Sequence, residues 1–369
     1  HRDLHSFPTR RSSDLIRSGP PAFTEMFQAT VAPPDRSFFI DPLILQDLDG
    51  DGLSEIILAA SNTIFRRQPD GSYARTTLCR HPPGLIFTAV MADFDGDGTT
   101  DFLCARHDGL LLYRGTADGT FLEPGRTVWT ASPRLKYGQA LSCGDVDGDG
   151  DLDVWLGQYK SPYERGQMPT PYYDANDGHP AWLLLNQGQG LFADVTEAAG
   201  LAAKRHRRTY AGSLVDLNQD GHLDLLVISD FAGTELYLND GRARFTDVTD
   251  TWIPVRHGFG MAHTLADFNR DGRLDFMVTG MHCPTALRLD HLGLVRPGYE
   301  DYARFRAAMT AGNRLWIAQP DGGFQLSPQN ASAANSGWSW GCTSFDADND
   351  CWLDLIIANG HESSTSVRE

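Results

Sequence analysis

The sequence predicts an all-β protein, a β-propeller of four-stranded antiparallel blades, and three observations lead to this prediction. A nine-residue acidic loop occurs six times in the 369 residues, beginning at Asp47, Asp93, Asp145, Asp216, Asp267 and Asp346. A short apolar run typical of a β-strand follows each loop. Further apolar runs separated by Asp-Gly or Gly-rich turns complete the repeated unit. Six blades can be traced in this way.

The clearest loop runs from Asp145 to Asp153 and reads Asp-Val-Asp-Gly-Asp-Gly-Asp-Leu-Asp. Acidic side chains stand at positions 1, 3, 5 and 9, and a glycine stands at position 6. Carboxylates this close repel one another unless a cation lies among them. Oxygen ligands suit a hard cation such as calcium, and the glycine permits a sharp turn. The loops therefore predict up to six Ca²⁺ ions.

The predicted metal ligands share positions 1, 3, 5 and 9, together with position 7, where comparable calcium loops use a backbone carbonyl. They are Asp47, Asp49, Asp51, Leu53, Glu55, Asp93, Asp95, Asp97, Thr99, Asp101, Asp145, Asp147, Asp149, Asp151, Asp153, Asp216, Asn218, Asp220, His222, Asp224, Asp267, Asn269, Asp271, Arg273, Asp275, Asp346, Asp348, Asp350, Trp352 and Asp354.

The six loops are not expected to bind equally. Asn218 and Asn269 each remove one negative charge, so their loops should bind calcium more weakly than those at Asp93 and Asp145. The last loop has Cys351 where the others have glycine. A left-handed conformation costs such a residue about 1–2 kcal/mol, unless Asn349 absorbs the turn instead.

An EF-hand is the obvious alternative, and position 12 of the loops argues against it. An EF-hand requires a bidentate glutamate there, followed by a helix. The six residues at position 12 are all apolar: Leu58, Cys104, Leu156, Val227, Val278 and Ile357. Each loop therefore joins two strands.

The second copy of the unit shows the four strands most clearly. The pattern predicts strands over Leu85–Ala92, Asp101–Ala105 and Leu110–Tyr113, and a fourth strand beginning at Phe121. Later copies repeat the third and fourth strands, at Trp182–Asn186 with Leu191–Val195, Glu235–Gly241 with Phe245–Val248, and Arg314–Ile317 with Phe324–Leu326.

Composition narrows the class of protein. Hydrophobic residues make up 41% of the chain, which suffices for a core, and the net charge is −17. Because the acids concentrate in the loops, this charge belongs mainly to the predicted metal sites, and it argues against a nucleic-acid partner. No apolar run reaches the ~18 residues of a membrane helix. The six cysteines lack zinc-site spacing, and any disulfide pairing stays open.

The loops and the Phe245–Thr249 strand resemble the FG-GAP or VCBS repeats of integrin-α-like propellers. The ending from Asp346 to His361 resembles bacterial relatives of cartilage acidic protein. The resemblance implies a seven-bladed propeller with calcium between strands one and two of each blade. It also implies an extracellular, cell-surface or periplasmic protein that binds other molecules without catalysis.

Both ends of the chain differ from this pattern. Residues 1–15 resemble translated sequencing-adapter read-through and are expected to be non-native. Residues 16–369 are then one propeller domain truncated at both ends, with insertions at 158–180 and 281–312. Five blades are complete, a sixth stops after its second strand, and Phe23–Met26 is expected to be the last strand of a lost blade.

Propeller topology places the metal loops on one face and both insertions on the other. The insertion face gathers basic and aromatic residues, which suit a protein or anionic-polysaccharide ligand. The candidate ligand-binding residues are Arg205, Arg207, Arg208, Tyr172, Tyr173 and Trp338. Solvated charge beside aromatics that pack the loops is the structural alternative. A short helix is expected over Tyr299–Met309, with an apolar stripe.

An enzyme, a propeller hydrolase or lyase acting on polysaccharide, is the alternative function. Acid–base candidates on the insertion face are His206, His257, His263, Asp230 and Glu164. No GxSxG, HExxH or phosphate-binding glycine loop accompanies them. The sequence therefore favours a non-catalytic binding or adhesion module.

Overall fold

The computed structural model describes residues 41–161, 168–334 and 336–359. Strands dominate them, forming five four-stranded sheets and one two-stranded sheet. The chain divides into two compact units, one of residues 26–260 and the other of residues 261–369 with 1–25. The first unit holds the first four sheets, and the second holds the last two. This arrangement confirms the predicted class, a β-propeller of four-stranded antiparallel blades.

The blades, numbered in chain order, have the following strands. Blade 1 is β1 (Leu43–Gln46), β2 (Glu55–Leu58), β3 (Thr63–Arg67) and β4 (Tyr73–Thr77); blade 2 is β5 (Thr88–Ala92), β6 (Asp101–Arg106), β7 (Gly109–Tyr113) and β8 (Arg126–Thr130); blade 3 is β9 (Gly138–Gly144), β10 (Asp153–Gln158), β11 (Trp182–Asn186) and β12 (Phe192–Asp194). Blade 4 is β13 (Arg208–Val215), β14 (Asp224–Asp230), β15 (Gly233–Asn239) and β16 (Phe245–Asp247); blade 5 is β17 (Gly260–Ala266), β18 (Asp275–Gly280), β19 (Arg314–Ala318) and β20 (Phe324–Leu326); the two-stranded blade 6 is β21 (Ser339–Phe345) and β22 (Asp354–Asn359).

Within each blade the strands pair with their neighbours in chain order, and every strand pair whose register is described is antiparallel. The second strands β10 and β14 are buried along their whole length, whereas the outer strand β4 is largely exposed. Continuous apolar runs such as Leu225–Ile228 are what a strand covered on both faces requires.

The core of the first unit lies between consecutive blades. One buried cluster packs Ile57 of blade 1 against Phe102 of blade 2. A second joins blades 2 and 3 through Leu103 and Leu156, and a third fills the equivalent space between blades 3 and 4. Each sheet thus buries its faces against its neighbours, as stacked sheets do.

The predicted starting residue of the fourth strand of blade 2, Phe121, is wrong. Strand β8 begins at Arg126, while Phe121 forms only an isolated bridge with Cys79. Phe121 is buried and packs against the ring of Phe102 at 5.9 Å between centroids. The segment that follows contains Pro124, which cannot donate to a strand ladder, so pairing resumes beyond it.

Both insertions lie between the second and third strands of their blades, as predicted. The first separates β10 from β11, and the second separates β18 from β19. The second insertion contains α2 (Pro284–His291) and α3 (Glu300–Met309). Two short helices lie outside it, α1 (Thr249–Trp252) in the first unit and α4 (Asn330–Ala334) after β20. Helix α3 confirms the predicted helix, and α2 was not foreseen. The predicted strand at Phe23–Met26 lies outside the described residues.

In the first unit, the acidic loops and the turns between third and fourth strands lie at the same edge of the blades. The side chain of Arg66 in blade 1 donates to the carbonyl of Gly119 in the β7–β8 turn, at 2.7 Å. The backbone N–H of Ala243, in the β15–β16 turn, donates to Val146 of the blade 3 loop at 3.0 Å. The insertion after β10 therefore leaves from the opposite edge.

Candidate functional site

The backbone of every acidic loop contains two left-handed residues, at positions 4 and 6. In the third loop these are Gly148 and Gly150, with φ of 79° and 93°. The last three loops place Gln219, Arg270 and Asn349 at position 4, with φ near 60°. In the sixth loop Cys351 is also left-handed, at φ 65°, so Asn349 does not relieve it.

The first acid of each loop binds the backbone of its own turn. In the third loop the N–H of Gly150 donates to Asp145 Oδ2 at 3.0 Å. The same contact between position 6 and position 1 spans 2.8 to 3.0 Å in all six loops. One carboxylate thereby fixes the glycine turn on which the loop depends.

The acid at position 5 also serves the loop itself. It accepts the N–H of position 7 at 2.8 to 2.9 Å in all six loops, as Asp149 does from Asp151. This is an Asx-type turn, which orders the second half of the loop. Spacing alone did not reveal this role, since position 5 looked equivalent to the other ligands.

The acid at position 9 is buried in the first five loops and half-buried in the sixth, and it joins the loop to the sheet. In blade 3, Asp153 is 1% exposed; one oxygen accepts the N–H of Val146 at 2.9 Å, and the other accepts that of Asn186 at 2.8 Å. Equivalent pairs of bonds occur at Asp101, Asp224 and Asp275. Desolvation raises the pKa of Asp153 to about 7.

The acids at positions 1, 3 and 9 converge in four loops. Their oxygens lie within 4.8 Å of one another in these groups, which could hold a metal ion: Asp47, Asp49 and Glu55; Asp93, Asp95 and Asp101; Asp145, Asp147 and Asp153; Asp346, Asp348 and Asp354. The loops at Asp216 and Asp267 have asparagine at position 3, which leaves two carboxylates at those three positions. The structure thus brings together three of the positions that the sequence indicated.

The loops differ in how they compensate this charge. Arg66 pairs with Asp49 at 2.7 Å, and Arg114 forms an ion pair with Asp95. In the fourth and fifth loops the amide of position 3 donates to the acid at position 5, as Asn218 does to Asp220 at 2.8 Å. Sequence reasoning missed both arginines; their place at the end of strand three is the signal that could have found them.

The third loop has no such compensation. Among the described residues, no lysine or arginine forms an ion pair with its acids. Asp147 Oδ1 is buried there without a hydrogen-bond partner, and desolvation together with the charge of Asp149 raises the pKa of Asp147. Both oxygens of the fully buried Asp95 carboxylate likewise accept no hydrogen bond. Because Asp95 has the ion pair with Arg114 and Asp147 has none among the described residues, the third loop fits a cation best of these two.

The position 7 residues differ in their side-chain surroundings. The Arg270 guanidinium lies 4.2 Å from the ring centroid of Trp352, and the His222 ring lies directly against Gly241. These contacts position side chains only, and the predicted ligand role of the position 7 carbonyls remains a prediction.

At the opposite edge, the structure corrects the interpretation of two predicted ligand-binding arginines. Arg207 and Arg208 are 4% and 2% exposed. Arg208 makes a bidentate ion pair with Asp177 at 2.9 and 2.7 Å, and Arg207 pairs with Glu235 and Asp174. Asp174 and Asp177 belong to the first insertion, so these arginines fasten the insertion to blade 4. Their burial contradicts a role as an exposed charged patch.

The other predicted ligand residues are more accessible. Arg205 is half-buried, with its guanidinium 5.9 Å from the centroid of the Trp182 ring. Tyr172 and Tyr173 are half-buried and form an edge-to-face pair at 5.8 Å. Trp338, in the second unit, is 45% exposed.

The acid–base candidates have local partners. The ring of His206 hydrogen-bonds to the carbonyl of Gly178, and that of His257 to Tyr173. His263 is half-buried, and desolvation of its ring lowers its pKa to about 4. Asp230 is buried and accepts a hydrogen bond from Tyr159 at 3.2 Å; desolvation raises its pKa to about 7. Glu164 lies outside the described residues.

Comparison with known proteins agrees with this architecture. A family model described as FG-GAP-like repeat matches residues 47–104, 93–156 and 216–278. Cartilage acidic protein 1 of Mus musculus is 27% identical over 92% of this chain and 61% of its own length, and the Homo sapiens protein is 22% identical over 92% and 60%. The chain thus spans about 60% of the length of these relatives.

Among solved structures, a lectin of Agrocybe aegerita that specifically recognises non-reducing terminal N-acetylglucosamine is similar. Its TM-score is 0.50 at 17% identity, covering 86% of this chain and 70% of the lectin chain. At this identity the likeness shows the fold alone. Within the described residues, no helix has the length and apolar character needed to cross a membrane.

We predict that Cys351→Gly stabilises the protein by up to about 1 kcal/mol, because glycine adopts the left-handed conformation without steric cost. Urea denaturation in excess calcium measures the change. Leu53→Gly, at a loop position whose φ is not positive, is the control and should be destabilising. A Cys351→Gly variant that loses stability as Leu53→Gly does would contradict the strain at position 6.

A second prediction concerns Asp230. Its pKa is about 7 when folded, against an ordinary value of 3.8. Between these values the folded state holds a proton that the unfolded state has lost, so the free energy of unfolding contributed by Asp230 falls as the pH rises from about 4 to 7. Asp230→Asn should therefore gain stability relative to the unaltered protein as the pH rises from 5 to 8.

Urea denaturation at pH 5 and pH 8, with calcium saturating at both, checks this difference. Asp108→Asn, which removes a carboxyl half-exposed to solvent instead of the buried one, is the matched control. Equal pH dependence in the Asp230→Asn variant and the unaltered protein would refute the assignment.

Proposed function

We propose that this chain, which contains FG-GAP-like repeats and is homologous to cartilage acidic protein 1, is a non-catalytic calcium-binding propeller. It acts as a binding or adhesion module outside the cytoplasm. The observation that carries the proposal is the convergence of three carboxylates in four loops, one of which has a buried Asp147 oxygen without a hydrogen-bond partner.

The chemistry of the ligand set favours calcium. Each group offers carboxylate oxygens only, without thiolate or imidazole, and such sets select hard cations over zinc or copper. Flexible loops that combine carboxylates with backbone carbonyls suit the variable coordination of calcium better than the strict octahedron of magnesium. When bound, the ion supplies positive charge that offsets the repulsion among the acids.

The role of the loops is then structural, and the partner docks elsewhere. The first insertion is fastened by buried ion pairs at the edge opposite the loops, which gives a rigid platform. Long loops held on rigid scaffolds commonly carry binding sites. Tyr172, Tyr173 and Arg205 stand there, partly accessible, and suit a protein or an anionic polysaccharide. Trp338 is the corresponding candidate of the second unit.

Removal of calcium should lower the melting temperature, and added CaCl₂ should restore it. Each site that binds only the folded state contributes about 2.7 kcal/mol at a hundredfold excess over its dissociation constant. Thermal unfolding with EGTA and then CaCl₂ measures this. Asp147→Asn should remove a large part of the calcium-dependent shift, and Glu197→Gln, at an exposed acid away from the loops, should remove none. Identical melting curves with and without calcium would refute the metal assignment.

The docking edge can be tested with heparin as an anionic polysaccharide. Replacing Tyr172 and Tyr173 together with alanine should chiefly speed dissociation, because aromatic contact area governs the off-rate. Surface plasmon resonance measures the rates, and Leu122→Ala, at an exposed residue of blade 2, is the control. Binding unaffected by the tyrosine substitutions but abolished at Leu122 would place the partner on another surface.

A further inference from the structure

Two buried asparagines connect acidic loops of neighbouring blades. Asn186 ends strand β11 of blade 3 and is 2% exposed. Its side-chain amide donates to the carbonyl of Phe94 at 2.9 Å and to that of Leu152 at 3.3 Å. Phe94 stands at position 2 of the second loop, and Leu152 at position 8 of the third loop. A single amide group therefore binds both loops.

Asn239 repeats the arrangement one blade further along. It ends strand β15 of blade 4 and is 4% exposed. Its amide donates to Val146, at position 2 of the third loop, at 2.8 Å, and to Leu223, at position 8 of the fourth loop, at 3.0 Å. The third loop is thus bound by both asparagines, one at each of its ends.

These bonds reach residues that directly flank the acids. Phe94 lies between Asp93 and Asp95, and its own N–H donates to Asp101. In the third loop, Leu152 immediately precedes Asp153, which also accepts the backbone N–H of Asn186. The positions of these carbonyls therefore depend on the positions of the neighbouring acids, which a bound cation would fix. Because the amide is buried and bonds both carbonyls, it links the backbone of one loop directly to that of the next.

We propose that Asn186 and Asn239 are positioning residues that couple cation binding in the second, third and fourth loops. This proposal rests on the proposed calcium function. The third loop is the centre of the coupled group, and a cation bound there raises the calcium affinity of the second and fourth loops. Among the described residues, the third loop also has no compensating arginine or asparagine, so its order depends strongly on a cation. The equivalent residues in blades 2 and 5 are Gly115 and Ala318, whose backbone N–H donates to the acid at position 9 but which have no amide side chain. The first loop is therefore outside the coupled group.

Hydrogen exchange resolved by peptide, at a series of CaCl₂ concentrations, measures the calcium midpoint of each loop separately. We expect Asp147→Asn, which weakens the third loop, to raise the midpoint of the second loop by about fivefold or more, the scale of typical allosteric coupling. The midpoint of the first loop should not change. By reciprocity, weakening the second loop with Asp95→Asn should raise the midpoint of the third.

Asn186→Leu removes the amide at similar volume and tests the route. In this background Asp147→Asn should no longer shift the midpoint of the second loop, while the coupling to the fourth loop through Asn239 persists. Asn176→Ala, at an asparagine that bonds a backbone carbonyl of the opposite edge, is the matched control. If Asn186→Leu does not fold, Asn186→Ser removes the same bonds with a smaller polar side chain.

The outcomes are distinguishable. Absence of calcium-dependent protection in every loop would refute the proposed function itself. Protection of the second loop that ignores Asp147→Asn would overturn the coupling. A shift that survives both Asn186 variants would overturn the role of this residue. A merely structural role for Asn186 would lower the melting temperature but leave the dependence of one loop on another intact.

Discussion

The buried carboxylate at position 9 of the first five acidic loops is the interaction on which their blades depend. In blades 2 to 5 it accepts one N–H from the start of the loop and one from the end of the third strand. It thereby connects the first, second and third strands at their loop ends, where backbone hydrogen bonds between the strands have stopped. Burying a charge is costly unless it is hydrogen-bonded, and here both oxygens are. The pKa of Asp101, Asp153 and Asp224 is nevertheless raised to about 6 or 7, because burial outweighs the two bonds. A nearby cation would offset that remaining cost.

The loops share one backbone conformation but differ in how the charge of their acids is compensated. Arg66 and Arg114 bring a guanidinium to the first two loops, and Asn218 and Asn269 replace a charge with an amide donor in the fourth and fifth. Among the described residues, the third loop has neither a paired arginine nor an asparagine at position 3. Neighbouring loops therefore differ in how much they need a cation, and buried asparagines join them. Under these two conditions, cation binding in one loop can influence the next.

The opposite edge shows why composition misleads about binding surfaces. The Lys204–Arg208 segment reads as an exposed basic patch, yet Arg207 and Arg208 are buried against Asp174, Asp177 and Glu235. Asp174 and Asp177 lie about 30 residues earlier, in an insertion whose path the sequence does not disclose, and Glu235 lies 28 residues after Arg207 on β15. Removing one member of such a buried pair is strongly destabilising, by about 3–5 kcal/mol. A loss of binding in an Arg207 or Arg208 variant would therefore report on folding as much as on contact.

The sequence by itself determined the elements whose causes are local. The acidic spacing and its glycines defined the six loops, because a left-handed turn and its caps need only neighbouring residues, and apolar runs located most strands within two or three residues. The helix at Glu300–Met309 followed from its apolar period in the same way. Only the tertiary structure decided which acids converge, which loop is compensated, and which arginines are buried. Asp49 meets Arg66, Asp153 meets Asn186 and Arg208 meets Asp177 across 17, 33 and 31 residues. Such contacts depend on how strands and insertions pack, which no local pattern encodes.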